Sequence, residues 1–395
     1  MRSSDFIVGA LIGIASAAPA GLHPCLGPKC APESDALTAR GLQNLRAFVA
    51  KRGYTSSTCT LEKAAVRKEW STLCDNEKKA YIDAVQCLAK LPPKTPIGVA
   101  AGAKNRYDDL VATHINQTLS IHGTGNFLSW HRYFTWAYEH ILKTECGYNG
   151  TQPYYNWPWW AADPHKAPNF DGSELSMSGD GEYITGRNNT CIPSPAACGV
   201  SLAPGNGGGC VKSGPFKDWS VNLGPVAPAL PNIPTNPSPD GLGYNPRCLR
   251  RDISRAASSG WTRDADVAAL IENADSFSRF STTMQGDFAA GYLGVHTAGH
   301  FTIGGDPGGD LFASPGDPMF FLHHAMIDRT WWTWQNLDLE KRLYAIGATV
   351  TLNNSPPSRN ATLDDLVGLG YVGVPDLSIR NASYTLGGPF CYIYE

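Results

Sequence analysis

The chain is short of charge. Lys, Arg, Asp and Glu together make only 17% of its 395 residues, and the formal net charge is −3. With a sequence pI near 6.4, it carries no basic footprint, so nucleic acid is not an expected partner. Long apolar runs are missing too. No segment reaches the roughly 20 residues that span a bilayer, and no membrane association is expected. CxxC pairs are absent, which speaks against a thiolate zinc site or an iron–sulfur cluster. No repeat of fixed period is present. Hydrophobic residues still make 42% of the chain, enough for a large core.

The first twenty residues, MRSSDFIVGALIGIASAAPA, join Arg2, an apolar run from about Phe6 to Ala18, and small residues at Ala18 and Ala20. That is the layout of a secretory signal cut near Ala20. The expected plan is a signal over residues 1–20 and one folded domain over 21–395, secreted and extracellular. Eleven cysteines follow the signal, at 25, 30, 59, 74, 87, 146, 191, 198, 210, 248 and 391. Their scatter suits disulfides, and the odd count leaves at least one thiol unpaired or paired outside this chain. Six N-x-S/T sequons, at Asn116, Asn149, Asn188, Asn353, Asn360 and Asn381, are candidate glycan sites. Oligomeric state is not legible.

Apolar periodicity predicts a first helix through Leu37, Leu42, Leu45 and Val49, with Ser34 as N-cap and Gly53 beyond its end. TLEKAAVRKEWSTLCDNEKKAYIDAVQCLAKLPP reads as two more helical patterns, the second capped by Asp75 and stopped by Pro92 and Pro93. Two further helices are expected at about Tyr107 to Asn116 and about Asn126 to Thr144, with Asn126 as an N-cap. From about Asp163 to Asp252 the chain is rich in Gly, Pro, Asn and Cys and reads as a long loop region. Helical pattern resumes around Asp264 to Phe280, and again from Asp317, where Asp-Pro opens a helix. The tail holds β-like runs, SYTL and CYIY.

Ten histidines are present, unevenly spread. His296 and His300, four apart, project from one face of a helix. The next helical pattern adds His323 and His324, with Asp328 one turn later as a carboxylate to orient a ligand network. Upstream, His114 lies in one helix, His122 in a glycine loop and His131 in an aromatic helix that also carries Trp130, Tyr133, Phe134, Trp136 and Tyr138. Two sets of three can be drawn: His114, His122 and His131, and His296, His300 and His324. His323 is read as a neighbour, and His140 and His165 have no ligand role. Imidazole suits copper, zinc, iron and nickel alike. A zinc protease needs a glutamate directly after its first histidine, but that residue is Thr297 in HTAGH. Redox chemistry is therefore favoured over hydrolysis.

HGTGNFLSWHRYF, HTAGHFTIGG and SPGDPMFFLHHAMIDRTWWTWQ resemble the two copper motifs of the type 3 copper family of tyrosinases, catechol oxidases and hemocyanins. Terminal CYIY resembles the tyrosine pair that closes the family's catalytic domain, so the chain looks like short secreted fungal oxidases without a C-terminal shielding domain. The resemblance implies a mainly α fold: a four-helix bundle holding a dinuclear copper site, with long disulfide-tied loops and a few short strands. Each of two copper ions would be held by three of those imidazoles, with O2 as co-substrate reduced to water and small o-diphenols oxidised to o-quinones. Where some family members carry a thioether-forming cysteine, this chain has Ser120, so no such crosslink is expected. Gln285 and Thr297 stand where monophenol-hydroxylating members often have glutamate and asparagine, which favours catechol oxidase over tyrosinase. A dioxygen carrier of the hemocyanin type is the further alternative. Leu311 is either a gate over the coppers or a loop anchor, and Phe301 either pocket wall or core.

Overall fold

The protein, seen here in a computed structural model, is described over residues 31–53 and 58–395; the expected signal, His23, Cys25 and Cys30 lie outside the described residues. Twelve α-helical segments occur among them: α1 Pro32–Arg52, α2 Asp75–Leu88, α3 Arg106–Ile121, α4 Phe127–Cys146, α5 Trp157–Trp160, α6 Arg255–Trp261, α7 Asp264–Asn273, α8 Phe277–Gln285, α9 Gly294–Ile303, α10 Met319–Leu337, α11 Leu339–Arg342 and α12 Ile379–Ala382. None is long and apolar enough to cross a membrane. The mainly helical expectation holds.

Helix α10 explains the arrangement. Every residue from Met319 to Asn336 is buried, so the helix has no solvent face and must be covered on all sides. Helices α1, α4, α7 and α9 supply that cover. α3 begins with a reciprocal cap, Asn105 accepting the Asp108 N–H and Asp108 accepting the Asn105 N–H. α4 ends at Gly147, whose left-handed backbone (φ 69°) lets its N–H return to the Leu142 carbonyl.

Among the described residues, ten short strands form five two-stranded pairs. β1 Ala65–Arg67 pairs in parallel with β10 Tyr392–Tyr394; β2 Gly181–Tyr183 pairs with β5 Gly208–Val211, β3 Thr190–Ser194 with β4 Ala197–Leu202, β6 Ser220–Val221 with β7 Arg247–Cys248, and β8 Leu366–Val367 with β9 Leu377–Ser378. The expected long loop region thus contains three small antiparallel ribbons: Cys191–Cys198 pins β3 to β4, and Cys210–Cys248 ties the β2–β5 ribbon to the β6–β7 ribbon. Cys87–Cys146 ties α2 to α4, and Cys59–Cys391 anchors the chain end. Cys74 is the unpaired thiol among the described residues.

Several local expectations are corrected. The helical pattern expected before α2 is a turn followed by β1, because Ala65–Arg67 finds a partner strand at the far end of the chain. The α1 cap is not Ser34: the helix starts at Pro32, and Asp264 of α7 accepts the N–H groups of Glu33 and Ser34 at 2.9 Å each. Asp264 to Phe280 is two helices rather than one. CYIY is a strand, but SYTL is a turn after α12. Asn126 does precede α4, but its side chain accepts from the Thr124 hydroxyl and caps nothing.

Candidate metal centre

The four helices α3, α4, α9 and α10 carry the histidines to one place. His114, His122 and His131 present nitrogens within 4.8 Å of one another, as do His296, His300, His323 and His324. The two groups adjoin: the rings of His131 and His324 stack at 4.5 Å, and those of His122 and His296 lie 6.0 Å apart.

Backbone carbonyls set the direction of each ring in the first group. His114 Nδ1–H donates to the Phe312 carbonyl at 2.7 Å, His122 Nδ1–H to Thr118 at 2.9 Å and His131 Nδ1–H to Phe127 at 2.8 Å. With the proton held on Nδ1, the Nε2 lone pair of each ring is free. Nε2 of His114 and of His131 is buried without a hydrogen-bond partner. In the second group both nitrogens of His296 and Nδ1 of His324 lack partners. His300 Nε2 faces His324 Nε2 at 3.2 Å; two unprotonated nitrogens so placed repel unless a proton or a cation lies between them. Leaving several polar atoms buried and unpaired costs about 1–3 kcal/mol each. A bound metal removes that cost, so the residues fit the group.

Protonation points the same way. Burial holds His114, His131, His296 and His324 well below the ordinary imidazole range, with neighbouring imidazoles adding to it. Burial also lowers His122 to about 4 and His300 to about 3. All six rings are neutral at pH 7, the form in which an imidazole can bind a metal.

His323 is set apart by a residue that the sequence reading missed. Trp157 Nε1–H donates to His323 Nδ1 at 3.0 Å, so that nitrogen is an acceptor and the proton of the neutral ring sits on Nε2. A ligating Nε2 would need the opposite tautomer, with two N–H groups meeting. Gly299 makes room for this ring: a Cβ there would fall 2.2 Å from His323 Cε1. The only hint in the sequence was the aromatic run WPWW.

Asp328 does not orient a histidine. It accepts from Arg132 Nε at 2.5 Å, from Arg67 Nη1 at 3.3 Å, and from the Tyr392 and Tyr394 hydroxyls at 2.6 Å each. One turn beyond His324 the helix face has turned toward β10, and the carboxylate clamps the chain end instead. Gln285 and Thr297 do lie beside the centre. Gln285 Oε1 accepts the Gly123 N–H at 2.7 Å, next to His122, and Thr297 donates to the Gln285 carbonyl at 2.7 Å. Leu311 is exposed, on the loop whose next residue, Phe312, accepts from His114. Phe301 packs on a small apolar cluster with Ile192, Val200 and Leu293, which is the core alternative. His140 stacks on Trp136, His165 bonds Asp180, and Ser120 donates to the Gln117 carbonyl. All six sequon asparagines are exposed.

Residues 104–337 match the family model described as the common central domain of tyrosinase. Tyrosinase-like protein orsC of Emericella nidulans is 46% identical over 75% of this chain and 80% of its own length. N-acetyl-6-hydroxytryptophan oxidase ivoB of the same species is 39% identical over 85% of this chain and 94% of its own. Tyrosinase P of Aspergillus terreus is 38% identical over 83% and 91%. Among solved structures, a polyphenol oxidase from Thermothelomyces thermophila, determined as a mutant, superposes with a TM-score of 0.82 at 40% identity, covering 92% of this chain and 96% of that one. A family match across more than half of the chain, on a fold shared with a polyphenol oxidase over nearly its whole length, makes this chain a member of the tyrosinase family.

Proposed function

We propose that this tyrosinase-family oxidase is a catechol oxidase that holds two copper ions, one in each imidazole trio: His114, His122 and His131, and His296, His300 and His324. The observation that carries the reading is the pair of adjoining histidine groups, in which Nε2 of His114, His131 and His296 is buried without a partner and Nε2 of His300 faces Nε2 of His324 at 3.2 Å. Copper bound there supplies the electron exchange with dioxygen. Overall, two o-diphenols give up four electrons and four protons, and one O2 becomes two waters.

The chain's own residues supply position and exclusion. Carbonyls of Phe312, Thr118 and Phe127 fix three rings before any metal arrives, which reduces the ordering needed on binding. Phenol chemistry beyond diphenol oxidation needs a proton acceptor beside the site. Gln285 is an amide whose oxygen and nitrogen are both engaged, with Gly123 and with Ser281, and the Thr297 hydroxyl is spent on the Gln285 carbonyl. Neither offers a carboxylate, and this supports diphenol oxidation over monophenol hydroxylation. The relatives' names, tyrosinase and N-acetyl-6-hydroxytryptophan oxidase, support small phenols or hydroxyindoles as substrates. Secretion is part of the proposal, supported by the four disulfides among the described residues and by six exposed sequons.

Oxygen uptake by copper-loaded protein tests the reading. Catechol should be oxidised at once, and a simple monophenol should give no steady quinone. Sustained quinone from the monophenol without added diphenol makes the enzyme a tyrosinase, and reversible oxygenation without any quinone makes it a carrier.

A further inference from the structure

A groove of about 680 Å³ lies next to the loop that carries Gly123 and the end of α8 at Gln285. One wall is the β3–β4 hairpin, through Pro193, Ala197 and the disulfide-bonded Cys198; the other is the turn Gly286–Ala289, with Asn353 alongside. The walls are tightly joined, since a Cβ on Gly199 would fall 1.9 Å from the Phe288 carbonyl oxygen. The inner end meets the loop that follows His122. Gly286 follows Gln285, which holds the Gly123 N–H, and the Asn353 N–H donates to the Gly123 carbonyl at 3.1 Å. Gly123 itself follows His122.

The lining is apolar except for a few polar groups and one charge. That charge is the exposed carboxylate of Asp287, which accepts the Ala290 backbone N–H at 3.2 Å. No Lys or Arg lines the groove. An apolar slot with a lone carboxylate attracts a hydrophobic or cationic group and repels an anionic one.

We propose that this groove receives the ring substituent of the phenolic substrate, and that Asp287 selects cationic or neutral substituents over carboxylates. The inference rests on the oxidase reading above, and it adds the chemical class of the substrate's far end.

The test compares 4-(2-aminoethyl)catechol with 3,4-dihydroxyphenylacetate, similar in length and opposite in charge. In copper-loaded wild type at low salt, kcat/KM should favour the amine by about three- to tenfold, the effect of one charge several ångströms away at a protein surface. The ratio should fall toward unity in Asp287→Asn and invert in Asp287→Lys; being taken within each protein, it is insensitive to a general change in rate. An unchanged ratio across the three proteins overturns the proposal. Equilibrium binding of the same two compounds without oxygen separates the two claims. If wild type oxidises neither compound, the oxidase reading fails, while a Kd difference that vanishes in Asp287→Asn still upholds the groove. Equal Kd values in wild type overturn it.

Discussion

Asp328→Asn should destabilise the protein without touching its metal. The carboxylate is buried, with a side-chain exposure of 2%, and faces the guanidinium groups of Arg67 and Arg132, both fully buried, along with two tyrosine hydroxyls. Asparagine keeps the shape, removes the negative charge and turns an N–H2 toward groups that are themselves donors. Both ion pairs of Asp328 are lost: Arg67 retains Glu139 at 2.6 Å, while Arg132 keeps only neutral acceptors, the Ser383 carbonyl and Gln335. Breaking a buried pair from one side costs about 3–5 kcal/mol. Unfolding entropy of about 2.1 cal/mol/K per residue, over 395 residues, converts that to a fall in Tm of about 4–6 °C. Calorimetry at pH 7 reads it. The dependence on pH adds a second check. Burial alone would raise the Asp328 pKa, but Arg132, Arg67 and the tyrosines more than offset it, and the group is held below its ordinary value. Its contribution is therefore present above the unfolded carboxylate pKa and lost as pH falls through the folded one. The gap between wild type and variant should close in strong acid. A Tm within 1 °C of wild type at pH 7 would refute the reasoning, as would copper loss at unchanged Tm, since Asp328 bonds to none of the histidines.

Glu69 behaves in the opposite sense: burial raises it to about 7, against hydrogen bonds from Ser71. The folded state holds its proton more tightly than the unfolded one, so stability should fall as pH rises from about 4.5 to 7, by up to about 1.4 kcal/mol per pH unit; Glu69→Gln should flatten that slope in urea titrations. Gly299→Ala places a methyl 2.2 Å from His323 Cε1 and should displace the rings of the second trio, lowering bound copper from two per chain toward one by metal analysis. Cys59→Ser removes the bond that anchors the strand after Cys391 and should cost about 2–5 kcal/mol in denaturant unfolding.

The histidine trios were legible because their chemistry has a local signature. His296 and His300 are one turn apart, and His114, His122 and His131 sit in two helical patterns and the glycine loop between them. What escaped was the partner of each group. Trp157 lies 166 residues from His323 in the chain, and the carbonyl of Phe312, which aims His114 from 198 residues away, carries no side-chain signal at all. Asp328 was placed correctly on its helix and misassigned in role, because its neighbours, Arg67, Arg132 and the terminal tyrosines, converge only in the folded chain. The same reason hid β1. AVR reads as helix until Tyr392–Tyr394 is set beside it. The small ribbons between residues 181 and 248 lack apolar alternation long enough to announce strands; one is closed by a disulfide and the other two are tied to each other by a second.

Metal content per chain, measured on purified protein after copper loading, tests the central claim most directly. Wild type should hold two coppers, while His131→Ala and His300→Ala should each hold about one and lose catechol-dependent oxygen uptake. A single metal in wild type, a preference for zinc over copper, or full occupancy and turnover in both variants would contradict it.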